Sequence, residues 1–197
     1  AGLIGRCAQT GQAIIVNDAP SDKSFDPSID ECALTPAGTV KDLLIVPVKS
    51  ADGHTIGVMV TARGPDSDSP PYDKDDVSLL STICEHVSHA MGVHTSVGPG
   101  HRKRSVVGSA MGAVSMGSMG QQYHNTMMQI ATLCETRSKM AAMTETLICD
   151  MISNSHSTLF FVGANPDHPD PAHPEVWSMH VAKKHHDHVS TMKGIVG

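Results

Sequence analysis

The chain has 197 residues and a formal net charge of −6, enough for one generous domain or a domain with part of another. The acidic balance and a single short basic run at residues 101–104 argue against nucleic acid as a partner. No apolar stretch approaches the roughly 20 residues that a membrane helix needs, so no membrane partner is expected. Five cysteines without C-x-x-C spacing predict reduced thiols and a cytoplasmic location.

Residues 1–95 show the pattern of a compact unit of helices and strands. A short helix is predicted before a turn at Gly11, and a brief strand over residues 13–16. Two apolar runs, DLLIVPVK and HTIGVMVTAR, flank the segment SADG, and an Asp-Gly pair between such runs predicts a hairpin. A helix over residues 75–93 follows, with acidic residues in its first turn and apolar residues at helical spacing.

The character of the sequence changes after residue 95. Residues 96–120 are rich in Gly, Ser and Met without a clear period, which predicts a flexible linker. A long helix is predicted over residues 124–153. STLFFVG then predicts a buried strand, and EVWSMHVA alternates like a second strand.

The first half of the chain carries a set of residues in a specific order and spacing: Gly2, Gly5, Thr10, Gly11, Asp18, Ala19, Phe25, Asp30, Pro47, Asp52, Gly53, Ile56, Gly57, Val58, Tyr72 and Asp76. In this arrangement it resembles the second half of a GAF domain, the small-molecule sensor module of cyclic-nucleotide phosphodiesterases, adenylyl cyclases and many kinases. Residues 121–197 resemble the first half of such a domain and end on a glycine turn at Gly194 and Gly197. The resemblance implies an α+β fold, a GAF-like antiparallel sheet flanked by helices with a long connecting helix.

The predicted organisation is that of a mid-module to mid-module fragment of a tandem-GAF protein of the phosphodiesterase or cyclase type. Residues 1–95 are the C-terminal part of one GAF-like domain, 96–120 the linker, and 121–197 the connecting helix with the N-terminal part of a second domain. Either half alone leaves part of a sheet unpaired. The halves can pair with flanking sequence, with another copy, or with each other as a permuted domain, and the sequence leaves these alternatives open.

The resemblance implies a ligand pocket between the sheet and the loop helices of residues 18–42. The ligand contacts predicted there are Phe25, Asp30, Val40, Asp42, Leu44 and Val60. The family's supporting signature pairs Asn-Lys after the last strand with Phe-x3-Asp-Glu at the closing helix. These positions read Arg63-Gly64 and Tyr72 to Val77, so only the aromatic residue and the aspartate remain. We therefore expect a degenerate pocket.

No motif of an enzyme stands out in the sequence, and we predict no catalytic residue. The acidic residues at positions 18, 22, 26 and 30 are interpreted as solvated loop residues and turn caps. Cys7 and Cys84 occupy apolar helical positions, where a free cysteine behaves as a small hydrophobe. Cys32, in a polar loop, lacks the surroundings of a reactive thiol.

Four histidines at positions 180, 185, 186 and 188 lie close together in the sequence, and neutral imidazoles can hold Zn²⁺ or Cu²⁺. No companion cluster of Cys or His supports such a site, so we predict adventitious binding only. Neither a physiological metal nor a cofactor is expected.

The sequence therefore predicts a non-catalytic regulatory or protein-interaction module, a scaffold within a cytoplasmic signalling protein. The expected partner is another protein or a second copy, forming a dimer through the long helices at 75–93 and 124–153. The alternative is a cyclic-nucleotide-sensing regulatory domain of a phosphodiesterase or cyclase, with cAMP or cGMP as its small-molecule ligand.

Overall fold

The computed structural model describes residues 2–31, 40–95, 137–152, 156–163 and 175–178. Within these ranges the helices are α1 (Leu3–Thr10), α2 (Pro27–Asp30), α3 (Lys74–Thr95) and α4 (Arg137–Met151), with a 3₁₀ turn at Ala19–Ser21. The strands are β1 (Ile14–Asn17), β2 (Asp42–Lys49), β3 (Thr55–Arg63), β4 (His156–Gly163) and β5 (Glu175–Ser178). No helix in these ranges is long and apolar enough to cross a membrane.

The local predictions for the first half are confirmed, with small shifts at the ends of elements. Gly11 ends α1 in the left-handed conformation at φ 63°, and Gly53 supplies φ 85° to the turn between β2 and β3. Both positions need a conformation that glycine adopts without a steric penalty. In the second half, α4 covers part of the helix predicted over 124–153. The start of that helix, the predicted linker, Cys32, Gly194, Gly197 and the four clustered histidines lie outside the described residues.

The five strands form one antiparallel sheet in the order β1-β2-β3-β4-β5. Strand β3 pairs with β2 on one side and with β4 on the other, where Gly57 to Ala62 lie opposite Phe161 to His156. The pairing of β3 with β4 joins the two halves of the chain in a single sheet. An antiparallel sheet with helices confirms the predicted α+β class.

Both faces of the sheet are covered, which is why β2 is apolar along most of its length. Side chains alternate between the faces of a strand, and the two sets pack into separate clusters. Helices α3 and α4 cover one face, whose fully buried members include Leu44, Val48, Met59, Leu80, Ile83, Met140 and Ile148. Helix α1 covers the other face. The strand residues in this second cluster include Leu43, Ile45, Val58, Val60 and Ala62.

Gly57 allows β3 and β4 to approach closely. A Cβ atom at this position would lie 2.8 Å from the backbone oxygen of Phe160. We expect Gly57→Ala to lower the free energy of unfolding by about 1–3 kcal/mol, because the backbone of β4 must shift to admit the methyl group. Urea unfolding measures this change. An unaltered midpoint would show that β4 does not lie against β3 at this position.

Candidate functional site

Asp30 is a fully buried acid that ties α2 to the start of α1. Its carboxylate accepts hydrogen bonds from the backbone N–H groups of Leu3 (3.0 Å), Ile4 (3.1 Å) and Asp26 (2.9 Å). Two of these donors belong to the first turn of α1, where N–H groups have no partner within the helix. At Gly2, a Cβ atom would lie 2.5 Å from both carboxylate oxygens, so glycine is required there. Asp30 thus serves as the cap of α1.

The burial of Asp30 corrects its interpretation as a solvated loop residue. Its exposed fraction is 0%, and burial raises the pKa of the carboxyl group although the three N–H donors act in the opposite direction. The turn-cap interpretation is confirmed for two neighbours. Asp22 accepts a hydrogen bond from Ser24 N at 2.7 Å, and Asp26 accepts one from Ser28 N at the start of α2.

The other predicted ligand contacts lie on both faces of the sheet. Phe25, Val40 and Val60 pack in the cluster on the α1 face. Leu44 packs on the opposite face, under α3 and α4. Asp42, two residues earlier in the same strand, shares the face of Leu44. The structure therefore brings the first three side chains together and separates them from Asp42 and Leu44.

The strand register identifies the β2 residues that do share the face of Val60. Ile45 lies directly opposite Val60, and Leu43 lies opposite Ala62. Directly opposite residues of an antiparallel pair project to the same side. The alternation of β2 alone cannot show which of its two sets of side chains faces α1, and for that reason Leu43 and Ile45 could not be identified from the sequence.

The α1 face is closed by apolar side chains of the helix. Leu3, Ile4 and Cys7 are each fully buried and belong to the same cluster as the β-strand residues. Burial raises the pKa of the Cys7 thiol to about 12, so this cysteine is uncharged at neutral pH. Burial likewise raises the pKa of Cys84 on the opposite face. Both cysteines are core residues, as predicted.

The positions of the altered family signature meet where β3 ends. The guanidinium carbon of Arg63 lies 3.9 Å from the centroid of the Tyr72 ring, and the two residues are only 4% and 3% exposed. The side chain of Asn17 holds the backbone of Tyr72 through two hydrogen bonds of 3.0 Å, one donated by Nδ2 and one accepted by Oδ1. Arg63 also donates to the backbone oxygen of Pro70. A cation–π contact thus fastens the segment before α3 to the sheet.

Asp73 and Asp76 together cap α3. The carboxylate of Asp76 accepts a hydrogen bond from Asp73 N at 3.1 Å, while the carboxylate of Asp73 accepts from Asp75 N (2.8 Å) and Asp76 N (3.1 Å). This reciprocal arrangement is a capping box, with aspartate at both ends. The aspartate that remains from the family signature is therefore engaged at the start of its own helix.

A cleft of about 490 Å³ lies between α1 and the segment before α2. Its lining residues are Gly2, Arg6, Gln9 and residues 23–27. Arg6 Nη1 donates a hydrogen bond to Ser24 Oγ at 3.3 Å across the cleft. Phe25, a predicted ligand contact, lines the cleft and is half-buried. Sequence reasoning missed Arg6 and Gln9, although their spacing of three places them on one face of α1.

The family model of the GAF domain matches residues 1–92, which contain α1, the first three strands and most of α3. A GAF domain lies at residues 1–92. GAF domains are in general regulatory or sensory modules, not catalytic ones. No solved structure matches the chain. In the parts of the chain that the structure describes, no group of three or more His, Cys, Asp or Glu side chains is placed to hold a metal ion.

Outside the GAF domain, Glu145 ties α4 to the sheet. Its carboxylate accepts a hydrogen bond from Leu159 N in β4 at 2.9 Å. Burial raises the pKa of Glu145 from its ordinary value of 4.5 to about 7, although the Leu159 N–H acts in the opposite direction. Between these two pH values the folded state binds more protons than the unfolded state. The contribution of this group to stability is therefore largest below pH 4.5 and declines as the pH rises to 7.

We expect Glu145→Gln to increase the free energy of unfolding at pH 8 by about 1–3 kcal/mol and to have little effect at pH 4.5. The amide keeps an oxygen that accepts from Leu159 N, and it has no charge to desolvate. Urea unfolding at the two pH values measures the difference. Asp150→Asn, at an exposed position of the same helix, serves as the control. Equal gains at both pH values would contradict the assignment of this proton to Glu145.

Proposed function

We propose that the chain is a non-catalytic regulatory or protein-interaction module, and that the predicted ligand pocket on the sheet is degenerate. The observation that carries this proposal is the engagement of the predicted ligand contacts within the protein. The carboxylate of Asp30 binds backbone N–H groups, and Phe25, Val40 and Val60 pack with α1. Ligand sites present a few convergent polar groups inside an apolar cleft. Here the candidate polar group already caps a helix.

The contacts around Arg63 and Tyr72 support the same proposal. In the resembled cyclic-nucleotide domains, the signature at these positions accompanies ligand binding. In this chain the arginine covers the tyrosine ring, and Asp76 belongs to the capping box of α3. The residues at these positions thus stabilise the attachment of α3 to the sheet, without the Lys–Asp pair of the family signature.

The proposed partner is another protein or a second copy, bound through α3 and α4 in a cytoplasmic signalling assembly. Both helices lie on the same face of the sheet and turn their apolar residues toward it. Their outer surfaces carry polar residues, such as Thr82 and Glu85 on α3 and Thr146 on α4. An interface between molecules that are each stable alone is about as polar as the rest of the protein surface, so these helix surfaces are compatible with such an association. Sedimentation velocity over a range of concentrations tests for the dimer.

The proposal also includes the domain organisation: the described residues before position 96 and those between positions 137 and 178 of one chain form a single domain in permuted order. It is supported by the six paired positions between β3 and β4 and by the core that the halves share. Thr61 and Ser157 lie opposite each other, with their hydroxyl oxygens 3.4 Å apart. A disulfide between Thr61→Cys and Ser157→Cys is expected within the monomer. A covalent dimer would show that a second copy supplies β4.

Thermal unfolding with millimolar cAMP or cGMP tests the degenerate pocket. A ligand that binds the folded state raises the midpoint by mass action. We expect neither nucleotide to change the midpoint of a sample that unfolds cooperatively. A clear increase with one of them would overturn the proposal in favour of the alternative, a cyclic-nucleotide-sensing regulatory domain of a phosphodiesterase or cyclase.

A further inference from the structure

The cleft beside α1 is separate from the sheet. It is bounded by one side of α1 and by residues 23–27, and none of its lining residues belongs to a strand. Its volume of about 490 Å³ is in the range of small-molecule sites, which is roughly 300–1,000 Å³. A ligand held here would not have to displace the apolar cluster between α1 and the sheet. The cleft therefore offers a binding site even where the sheet pocket is degenerate.

Two cationic side chains face this cleft from its opposite walls. Arg6 projects from α1 and Lys23 from the segment before α2, and both are exposed. Within the described residues, the hydrogen bond that Arg6 makes is to the neutral hydroxyl of Ser24. Its guanidinium group carries five N–H donors, so most of them are available to an acceptor in the cleft.

Two carboxylates accompany these cations: Asp26 lines the cleft itself, and Asp22 precedes Lys23 in the chain. Both carboxylates are engaged in their own turns. Asp26 Oδ1 accepts hydrogen bonds from Ser28 N (3.0 Å) and Ser28 Oγ (2.6 Å), and Asp22 accepts from Ser24 N (2.7 Å). These bonds fix both carboxylates at backbone positions of the 22–28 segment. They do not neutralise the carboxylates, but among the described residues neither carboxylate forms an ion pair with Arg6 or Lys23.

We propose that the cleft binds a phosphate dianion, free or as the monoester of a small molecule, with Arg6 and Lys23 as its charge partners. The cyclic diesters cAMP and cGMP carry a single negative charge and are not expected to bind in this cleft. A phosphate dianion matches two separate cations and accepts several hydrogen bonds, and arginine binds phosphate through two parallel N–H groups. Gln9 and Ser24 supply further polar atoms in the lining. The half-buried ring of Phe25 forms an apolar wall against which a flat organic group can pack.

The phosphate can be free or part of an ester, and these two sources share the same recognition chemistry. Isothermal titration of the full chain with inorganic phosphate and with phenyl phosphate distinguishes them, at constant ionic strength because salt screens the interaction. Tighter binding of phenyl phosphate, lost in Phe25→Leu, identifies an ester with a flat group. Equal binding of both compounds identifies the phosphate alone as the ligand. Phenol, which lacks the phosphate, is expected not to bind.

The charge variants decide whether the proposal stands. Arg6→Gln and Lys23→Gln are each expected to weaken binding about tenfold, since each removes a charge-assisted contact. Lys74→Gln makes the same change of charge at an exposed position outside the cleft and is expected to bind like the unaltered protein. Saturable binding with this pattern supports the site. Absence of binding, or equal binding by all three variants, would overturn it.

Discussion

Asp30→Ala is expected to lower the free energy of unfolding by about 3 kcal/mol, which for a chain of this size lowers the midpoint of thermal unfolding by roughly 10 °C. The substitution leaves three backbone N–H groups without their acceptor, two of them in the first turn of α1. The alanine methyl group does not fill the space of the carboxylate. Helix α1 should loosen, and with it the cover over one face of the sheet.

Two further variants separate this effect from a general loss of charge. Asp30→Asn keeps one oxygen acceptor in place and is expected to cost less than Asp30→Ala. Asp68→Ala removes a carboxylate from an exposed loop and should change stability by less than about 0.5 kcal/mol. Thermal and urea unfolding followed by circular dichroism measure all three. If Asp30→Ala were as mild as Asp68→Ala, Asp30 would not be the cap of α1.

Phe161→Ala is expected to lower the free energy of unfolding by about 3–5 kcal/mol, because it opens a cavity under α3 and α4. Phe161 is 1% exposed and stacks on Trp177, with ring centroids 4.9 Å apart and planes at 29°. It belongs to the same apolar cluster as residues of β2, β3 and α3. The loss should therefore be felt in the GAF domain as well as in the strands that follow it.

The number of unfolding transitions tests whether the two halves of the chain share one core. One cooperative transition, moved as a whole by Phe161→Ala, is expected if the two halves of the chain share a core. Two transitions, of which only one moves, would show that the halves fold independently. Phe25→Ala, at a half-buried position on the other face, provides a matched substitution with a smaller expected effect.

The sequence predicted the elements whose signals are local. The Asp-Gly pair predicted the turn at Gly53, helical spacing predicted α3, and the apolar run STLFFVG predicted β4. The fold class followed from the resemblance to GAF domains. Each of these signals lies within a few residues of the structure that it specifies.

The sequence did not show relations between distant segments. The pairing of β3 with β4 joins Ala62 to His156, and the spacing of apolar residues contains no information about such a partner. The burial of Asp30 depends on where α1 begins, some 27 residues earlier in the chain. Which face of the sheet the side chains of Leu44 and Ile45 occupy depends on the register between two paired strands. Of the predicted ligand contacts, Phe25 and Asp30 therefore lie near α1, whereas Asp42 and Leu44 lie on the other face.

The altered signature shows a further limit of reading residues by resemblance. Arginine and tyrosine at positions 63 and 72 indicate only that the expected asparagine and phenylalanine are absent. That the two side chains stack on each other becomes visible when β3 and the start of α3 are placed in space. Residues that depart from the family pattern can thus still attach the start of α3 to the sheet, here through a cation–π contact.

The stacked rings of β4 and β5 give the protein an optical reporter. Trp177 is the only tryptophan in the chain, and it is 5% exposed inside the apolar cluster. Indole emission moves to longer wavelength when water reaches the ring, so its colour reports whether β5 is docked against the helices. Excitation near the red edge of protein absorption selects this residue over the two tyrosines. The release of β4 and β5 from the helices can therefore be timed in the unlabelled protein.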